Sequence, residues 1–270
     1  MSEIVRLDKF TTLGVGGKSK VDFIQSPNDL HLIDEKPLVI GRGANLLIAD
    51  SGINYAVINR LFGIENTADG FIVNSGQSLS SLVNLAYARS LGGLEWAYTI
   101  PASVGGAIIS NAGAFDGQMA DITEWVEIYK NGVLTRLYRN DINFAYRKSG
   151  IDGFVVRAKL KLFQKEQEQI AVAMEKYRQY RRLTQPQGKS AGSVFKRVNG
   201  TSAGYYIERA GLKGKKIGGA VISEKHANFI LNLGGASARD IYELIVSVEE
   251  KVKQEFGLAL EREIKLYGDF

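Results

Sequence analysis

The chain has 270 residues, of which 45 % are hydrophobic, 10 % aromatic and 23 % charged. These are ordinary globular proportions, enough for roughly two domains and far from those of a disordered chain. It has no cysteine and only two histidines, His31 and His226, which excludes disulfides, thiolate metal sites and cysteine nucleophiles and leaves a zinc cage or a serine–histidine triad hard to assemble.

A net charge of +5 favours anionic partners such as nucleotides. The basic residues are scattered, however, with Lys213, Lys215 and Lys216 the densest group. The basic stripe interleaved with exposed aromatics that marks a nucleic-acid binder is missing, so no nucleic acid is expected. No run of about 18 apolar residues occurs, and residues 1–10 are mixed and charged rather than leader-like. A cytoplasmic protein without membrane insertion is expected.

In chain order, residues 21–24 and 38–40 read as short strands ahead of glycine loops, and 55–59 and 71–74 as two more. Residues 78–90 place Leu79, Leu82, Val83 and Ala86 on one helical face. Residues 122–130 and 133–138 flank Asn131-Gly132, a strong hairpin signal. Residues 154–163 alternate as a half-buried strand. Residues 166–183 read as a charged helix that ends near Pro186-Gln187-Gly188, a domain boundary. A second helix spans 237–256, with Ile241, Leu244, Ile245, Val248, Val252 and Phe256 on its buried face and Ser237 and Asp240 as a capping box. A last strand lies around 263–267. The mixture is α+β, without the regular alternation of a doubly wound sheet.

Two glycine loops mimic familiar motifs and fail. Gly17-Lys18-Ser19 ends like a phosphate loop, but Thr12 stands where that loop needs glycine; Gly41-Arg42-Gly43-Ala44-Asn45-Leu46 begins like a dinucleotide fingerprint but has Leu46 as its third glycine. Read alone, Gly41–Asn45 is either a structural turn or an anion-binding loop. Residues 100–107, followed by 111–115, combine Pro101, small residues and the Gly105-Gly106 pair. They read as a turn entering a helix whose bare N-terminal amides suit a diphosphate, or as a tightly packed helix start.

Together these segments resemble the UDP-N-acetylenolpyruvoylglucosamine reductase family. Gly-Arg-Gly-Ala-Asn-Leu-Leu at 41–47 resembles its flavin motif, with Ala44 where serine is usual. Gly93-Leu94-Glu95, then 100–107 and 111–115, resemble its second flavin segment, with Ala102 where glycine is usual. Thr11 to Gly17, Tyr146-Arg147, Ala191 to Lys196, Ala203 to Gly219, Ser223 to Ile230 and Glu261-Arg262-Glu263 resemble further family motifs in the family's order. Departures are Thr184 for a common lysine, Leu79 for a common tryptophan, and Arg197-Val198-Asn199-Gly200 where a proline usually follows soon after the lysine. Arg147 and Ser193 lie 46 positions apart and Ser193 and Lys213 lie 20 apart, which resembles the compact second class.

The resemblance implies a fold and a reaction. The fold is α+β: a two-part FAD-binding domain of the vanillyl-alcohol-oxidase type, residues 1–60 and 61–184, a substrate domain, residues 185–260, and a C-terminal strand, 261–270, returning to the site. The reaction passes a hydride from NADPH to FAD and on to C3 of the enolpyruvyl group of UDP-N-acetylglucosamine enolpyruvate. A proton at C2 completes UDP-N-acetylmuramate, a peptidoglycan precursor. Implied catalytic residues are Ser193, the acid at C2; Arg147, facing the developing enolate; and Glu263, assisting as a protonated acid. Implied cofactor residues are Gly41, Arg42, Gly43, Ala44, Asn45, Leu46, Pro101, Ser103, Val104, Gly105, Gly106, Asn111 and Gly113. Tyr146, Lys213 and His226 are implied to contact the UDP-sugar. Without the family, Ser193 reads as a turn or cap serine, Arg147 as one half of a surface ion pair, Glu263 as an exposed strand carboxylate and His226 as a structural histidine. No metal is expected, and a monomer is. Two alternatives are kept: another FAD-dependent sugar oxidoreductase of the superfamily, such as an oxidase, and a non-enzymatic nucleotide-binding protein.

Overall fold

The computed structural model describes residues 2–270. Its α-helices are α1 (Leu79–Ala88), α2 (Val104–Ile109), α3 (Met119–Ile122), α4 (Gln167–Thr184), α5 (Ala203–Arg209) and α6 (Ala238–Phe256). The chain folds as two compact units, one of residues 22–42 and 56–181 and the other of residues 1–21, 43–55 and 182–270. Residues 1–60, expected as one subdomain, are thus shared between both.

The unit of residues 22–42 and 56–181 is built on a five-stranded antiparallel sheet. Its strand order is Val133–Tyr138, Thr123–Lys130, Phe154–Lys161, Gly70–Asn74 and Ile64–Thr67. The hairpin turns at Asn131 (φ 50°) and Gly132 (φ 77°), two left-handed residues that match the twist of the flanking strands. One sheet face carries Phe71, Val73, Val126, Ala158 and Leu160, all fully buried. Leu79, Leu82, Val83 and Ala86 of α1 join them in one core, as the helical spacing requires. The other face is charged: Glu127 lies opposite both Arg136 and Arg157 in the register and pairs with both. The guanidinium of Arg157, then that of Arg136, holds the Glu127 carboxyl below its usual range. Leu38–Ile40 pairs in parallel with residues 56–58.

The unit of residues 1–21, 43–55 and 182–270 packs α5 and α6 with a three-stranded meander, Lys216–Ile217, Ala220–Ile222 and Ile230–Asn232. Ile241, Leu244, Ile245, Val248 and Val252 of α6 are buried, and Phe256 packs partly buried beside them. Ser237 and Asp240 form the expected capping box: the Asp240 N–H donates to Ser237 Oγ and the Ser237 N–H to Asp240 Oδ2, both at 3.0 Å. The N–H groups of Ala238 and Arg239 donate to the Asp50 carboxylate at 2.9 and 3.0 Å, so a loop residue supplies what the box leaves open. Gly257 (φ 67°) ends the helix.

Several boundaries differ from expectation. The 154–163 run stops at Lys161, and Phe163–Gln164 pairs separately with Leu91–Gly92. Ile122 ends α3 rather than starting the next strand. The last strand is Lys265–Tyr267, parallel to Leu46–Ile48, so Glu263 precedes it. Glu263 is fixed by loop contacts, not by the sheet. No helix among the described residues is long and apolar enough to cross a membrane.

Candidate active site

In the unit of residues 22–42 and 56–181, Gly41 leaves its strand against Ser103. A Cβ at Gly41 would meet Ser103 Oγ at 2.2 Å, so glycine here leaves the Ser103 hydroxyl undisplaced. Ser103, 3 % exposed, caps α2, its Oγ accepting from the Gly106 N–H at 3.3 Å. The expectation of bare amides at this helix start is not met. The Val104 N–H donates to the Gln77 carbonyl at 2.9 Å and the Gly105 N–H to the Ser75 carbonyl at 2.8 Å. Gly105 has a packing reason: its Cβ would meet Ser75 Cβ at 2.7 Å. Arg42, Pro101 and Gly106 face solvent.

Gly113 pairs across a tight turn with Gln118, whose Cβ would lie 2.8 Å from a Cβ at Gly113. Phe115 (φ 51°) and Asp116 (φ 65°) are both left-handed in that turn. Asn111, at the end of α2, is 2 % exposed, and its side chain is bonded to Gln118, Ala120 and Ala145. Tyr146 and Arg147 form the next turn, the guanidinium 5.1 Å from the Tyr146 ring centre.

In the unit of residues 1–21, 43–55 and 182–270, Gly43 (φ 62°) lies on the Phe10 carbonyl, 1.9 Å from where its Cβ would be. Its own carbonyl accepts from the Thr12 N–H at 3.1 Å. Ala44 is half-buried. Leu46 opens the strand paired with Lys265–Tyr267. The Asn45 amide nitrogen donates to the Glu263 carbonyl at 3.0 Å, so this motif residue grips the segment that carries Glu263.

Ser193 follows Gly192 (φ 73°), bridges to Phe229, and is half-buried. The Glu263 N–H donates to the Val194 carbonyl at 2.8 Å. The structure therefore brings the Ser193 loop and Glu263 together. Asn228, absent from the expected site, clamps that loop. Its carbonyl accepts from the Val194 N–H at 2.9 Å, its Oδ1 from the Phe195 N–H at 2.9 Å, and its Nδ2 donates to the Phe195 carbonyl at 2.8 Å. It is 4 % exposed. Asn228 sits inside the 223–230 motif, which was a signal, but the motif gives no hint that its amide mimics a strand partner.

Lys213 pairs with Glu208 at 2.8 Å. His226 Nδ1 accepts from the Asn228 N–H at 3.3 Å, and its ring stands edge-on to Phe229, centres 4.9 Å apart. Burial pushes the His226 pKa down, and the Lys213 charge adds to this. A neutral, Nδ1-accepting imidazole fits both facts. Arg147 and Tyr146 lie in the other unit from Ser193, Glu263, Lys213 and His226.

Residues 184–267 match the model of the UDP-N-acetylenolpyruvoylglucosamine reductase C-terminal domain. The chain is 40 % identical over 277 aligned residues to the UDP-N-acetylenolpyruvoylglucosamine reductase of Thermotoga maritima, covering 97 % of each. The chain belongs to the UDP-N-acetylenolpyruvoylglucosamine reductase family. Within this reductase family it is also 42 % identical to the protein of Thermus thermophilus, covering 97 % of this chain and 98 % of that one. The crystal structure of UDP-N-acetylenolpyruvylglucosamine reductase from Thermus caldophilus aligns with a TM-score of 0.89 at 38 % identity over 99 % of both chains. The fold is accordingly the α+β fold of this reductase family, and the chain is an oxidoreductase of that family.

Proposed function

We propose that the chain reduces UDP-N-acetylglucosamine enolpyruvate to UDP-N-acetylmuramate, with NADPH as hydride donor and noncovalent FAD as cofactor, in peptidoglycan precursor synthesis. The observation that carries the reading is the join between the Ser193 loop and Glu263, made by the Glu263 N–H and the Val194 carbonyl in a chain of this reductase family.

The residues fit a flavin nucleotide. Segments 41–47 and 100–115 contain one charged residue, Arg42, and no carboxylate. Arg42 and Gly106 face solvent, offering a cation and a side-chain-free surface to a diphosphate. Gly41, Gly43, Ala44, Leu46, Pro101, Ser103, Val104, Gly105 and Gly113 shape these segments. The bound flavin supplies the hydride relay between NADPH and the enolpyruvyl group.

The chain's own residues do the rest. Ser193 delivers a proton to C2. Arg147 faces the carboxylate and the negative charge growing beside it. Glu263 assists as a protonated acid. Lys213 exchanges Glu208 for the substrate diphosphate; the pair is partly exposed, so breaking it costs little. Tyr146 and His226 contact the UDP-sugar, His226 as a neutral hydrogen-bonding ring. We read the protein as a cytoplasmic monomer.

The visible absorption spectrum of the purified protein tests this. A yellow protein is expected, bleached by NADPH and recoloured by the enolpyruvyl substrate without peroxide formation. A protein that stays colourless after refolding with FAD contradicts the reading, and peroxide formed in air with a sugar substrate would instead favour an oxidase.

A further inference from the structure

Asn111 sits where α2 ends, in the left-handed region (φ 41°) and 2 % exposed. Its Nδ2 donates to the Ala145 carbonyl and to Gln118 Oε1, both at 3.0 Å, and its Oδ1 accepts from the Ala120 N–H at 3.0 Å. A primary amide has two donor protons, and both are spent within the protein.

The Ala145 carbonyl is the one that closes the turn carrying Arg147. The Lys148 N–H donates to it at 3.1 Å, and the Ala145 N–H donates to the Lys148 carbonyl at 2.8 Å. Of the two central residues, Tyr146 and Arg147, only Arg147 has positive φ, at 57°. That is the third position of a type II turn, which ordinarily takes glycine. A non-glycine residue stays there only when its surroundings over-determine it. The end of α2 supplies that restraint on both sides: Asn111 holds the Ala145 carbonyl, and the Ile109 carbonyl accepts from the N–H of buried Ser149 at 3.2 Å.

We propose that Asn111 is a positioning residue for Arg147. It fixes the turn in the one conformation that presents the guanidinium, rather than serving as a cofactor ligand. The proposal rests on the reading of Arg147 given above. It also explains why the second flavin segment runs on to Asn111: the same short helix that begins at Ser103 ends by holding the turn of Arg147.

Asn111→Gly is the cleanest probe, because glycine keeps the left-handed conformation without strain and removes only the amide. Flavin affinity, read by fluorescence titration, and flavin reduction by NADPH are expected within about twofold of the parent. Flavin reoxidation by the enolpyruvyl substrate is expected to slow by about tenfold to a hundredfold, the scale of a misplaced group. In an Arg147→Ala background, Asn111→Gly should add no further slowing, since one residue acts through the other. Loss of flavin affinity, equal slowing of both half-reactions, or full additivity with Arg147→Ala overturns the proposal. If Asn111→Gly does not fold, Asn111→Asp keeps the shape and the acceptor. Its reoxidation rate should recover as pH falls and the carboxyl regains a proton to donate; a rate that does not recover overturns the proposal. Should Arg147→Ala alone leave reoxidation unchanged, the reading of Arg147 has failed and the positioning claim falls with it. Should Arg147→Ala slow reoxidation while Asn111→Gly does not, only the positioning claim falls.

Discussion

The backbone N–H of Glu263 donates to the carbonyl oxygen of Val194 at 2.8 Å, and the Ile264 N–H reaches the same oxygen at 3.2 Å. One carbonyl beside Ser193 thus anchors a segment about 70 positions further along the chain. From the other side, Asn228 takes the Val194 N–H and both backbone groups of Phe195. Ser193 therefore stands at the head of a short stretch whose backbone hydrogen bonds are satisfied by two separate parts of the sequence.

Ser193→Ala is expected to fold and bind flavin like the parent, because the change removes one half-buried hydroxyl. Flavin reduction by NADPH needs no substrate proton and should be spared. Reoxidation by the enolpyruvyl substrate should slow by at least about 10²-fold, the usual contribution of one positioned proton donor. Stopped-flow absorbance follows the two steps separately. Equal slowing of both would make Ser193 structural, and no slowing would mean that another group is the acid.

Asn228→Ala leaves the Phe195 N–H and carbonyl without their partners in a buried setting. Each orphaned group costs about 1–3 kcal/mol, so a loss of about 2–6 kcal/mol is expected, read as a lower urea midpoint. Asn228→Asp keeps the acceptor for the Phe195 N–H but sets a buried carboxylate oxygen against the Phe195 carbonyl, so at neutral pH it should be at least as destabilising as the alanine variant. An alanine variant as stable as the parent would show that the clamp is not needed.

Gly41→Ala sets a methyl group against Ser103 Oγ. Relief requires Ser103 to turn away and abandon the Gly106 N–H, an N-cap worth about 1 kcal/mol. Flavin affinity should fall with stability, because the loop and the start of α2 move together. In a Ser103→Ala background the cap is already lost and the obstructing oxygen is gone, so Gly41→Ala should cost less. Equal costs in the two backgrounds, measured by denaturant titration, would rule out this coupling.

His226 titrates below its ordinary value of 6.5, first because burial disfavours its charged form and then because Lys213 repels a second cation. Between the depressed value and about 6.5 the unfolded chain binds a proton that the folded chain refuses. Stability should therefore be complete above about pH 6.5 and decline as pH falls below it. The lowered carboxyls of Asp29, Asp240 and Glu127, whose ordinary values are 3.8, 3.8 and 4.5, lose their contribution only under more acidic conditions. The melting temperature is expected to fall between about pH 7 and about 5.5, and His226→Gln should flatten that slope. A parent profile already flat across this window would refute the assignment.

The local elements were legible in the sequence because their causes are local. The spacing of Leu79, Leu82, Val83 and Ala86 marked α1, Asn131-Gly132 marked a hairpin, and Ser237 with Asp240 marked the start of α6, each within one or two residues. The ordered motifs pointed to the family for the same reason, since each is a contiguous stretch of chain. What only tertiary structure decided is where side-chain amides go. Asn45 and Asn111 sit in motifs expected to bind a cofactor, yet their donors go to the carbonyls of Glu263 and Ala145, and the α2 amides expected to meet a diphosphate are satisfied by Ser75, Gln77 and Ser103. A buried amide must find a partner, and that partner can lie 218 positions away in the chain, as Glu263 does from Asn45. Periodicity and motif spacing carry no record of which distant carbonyl it will be.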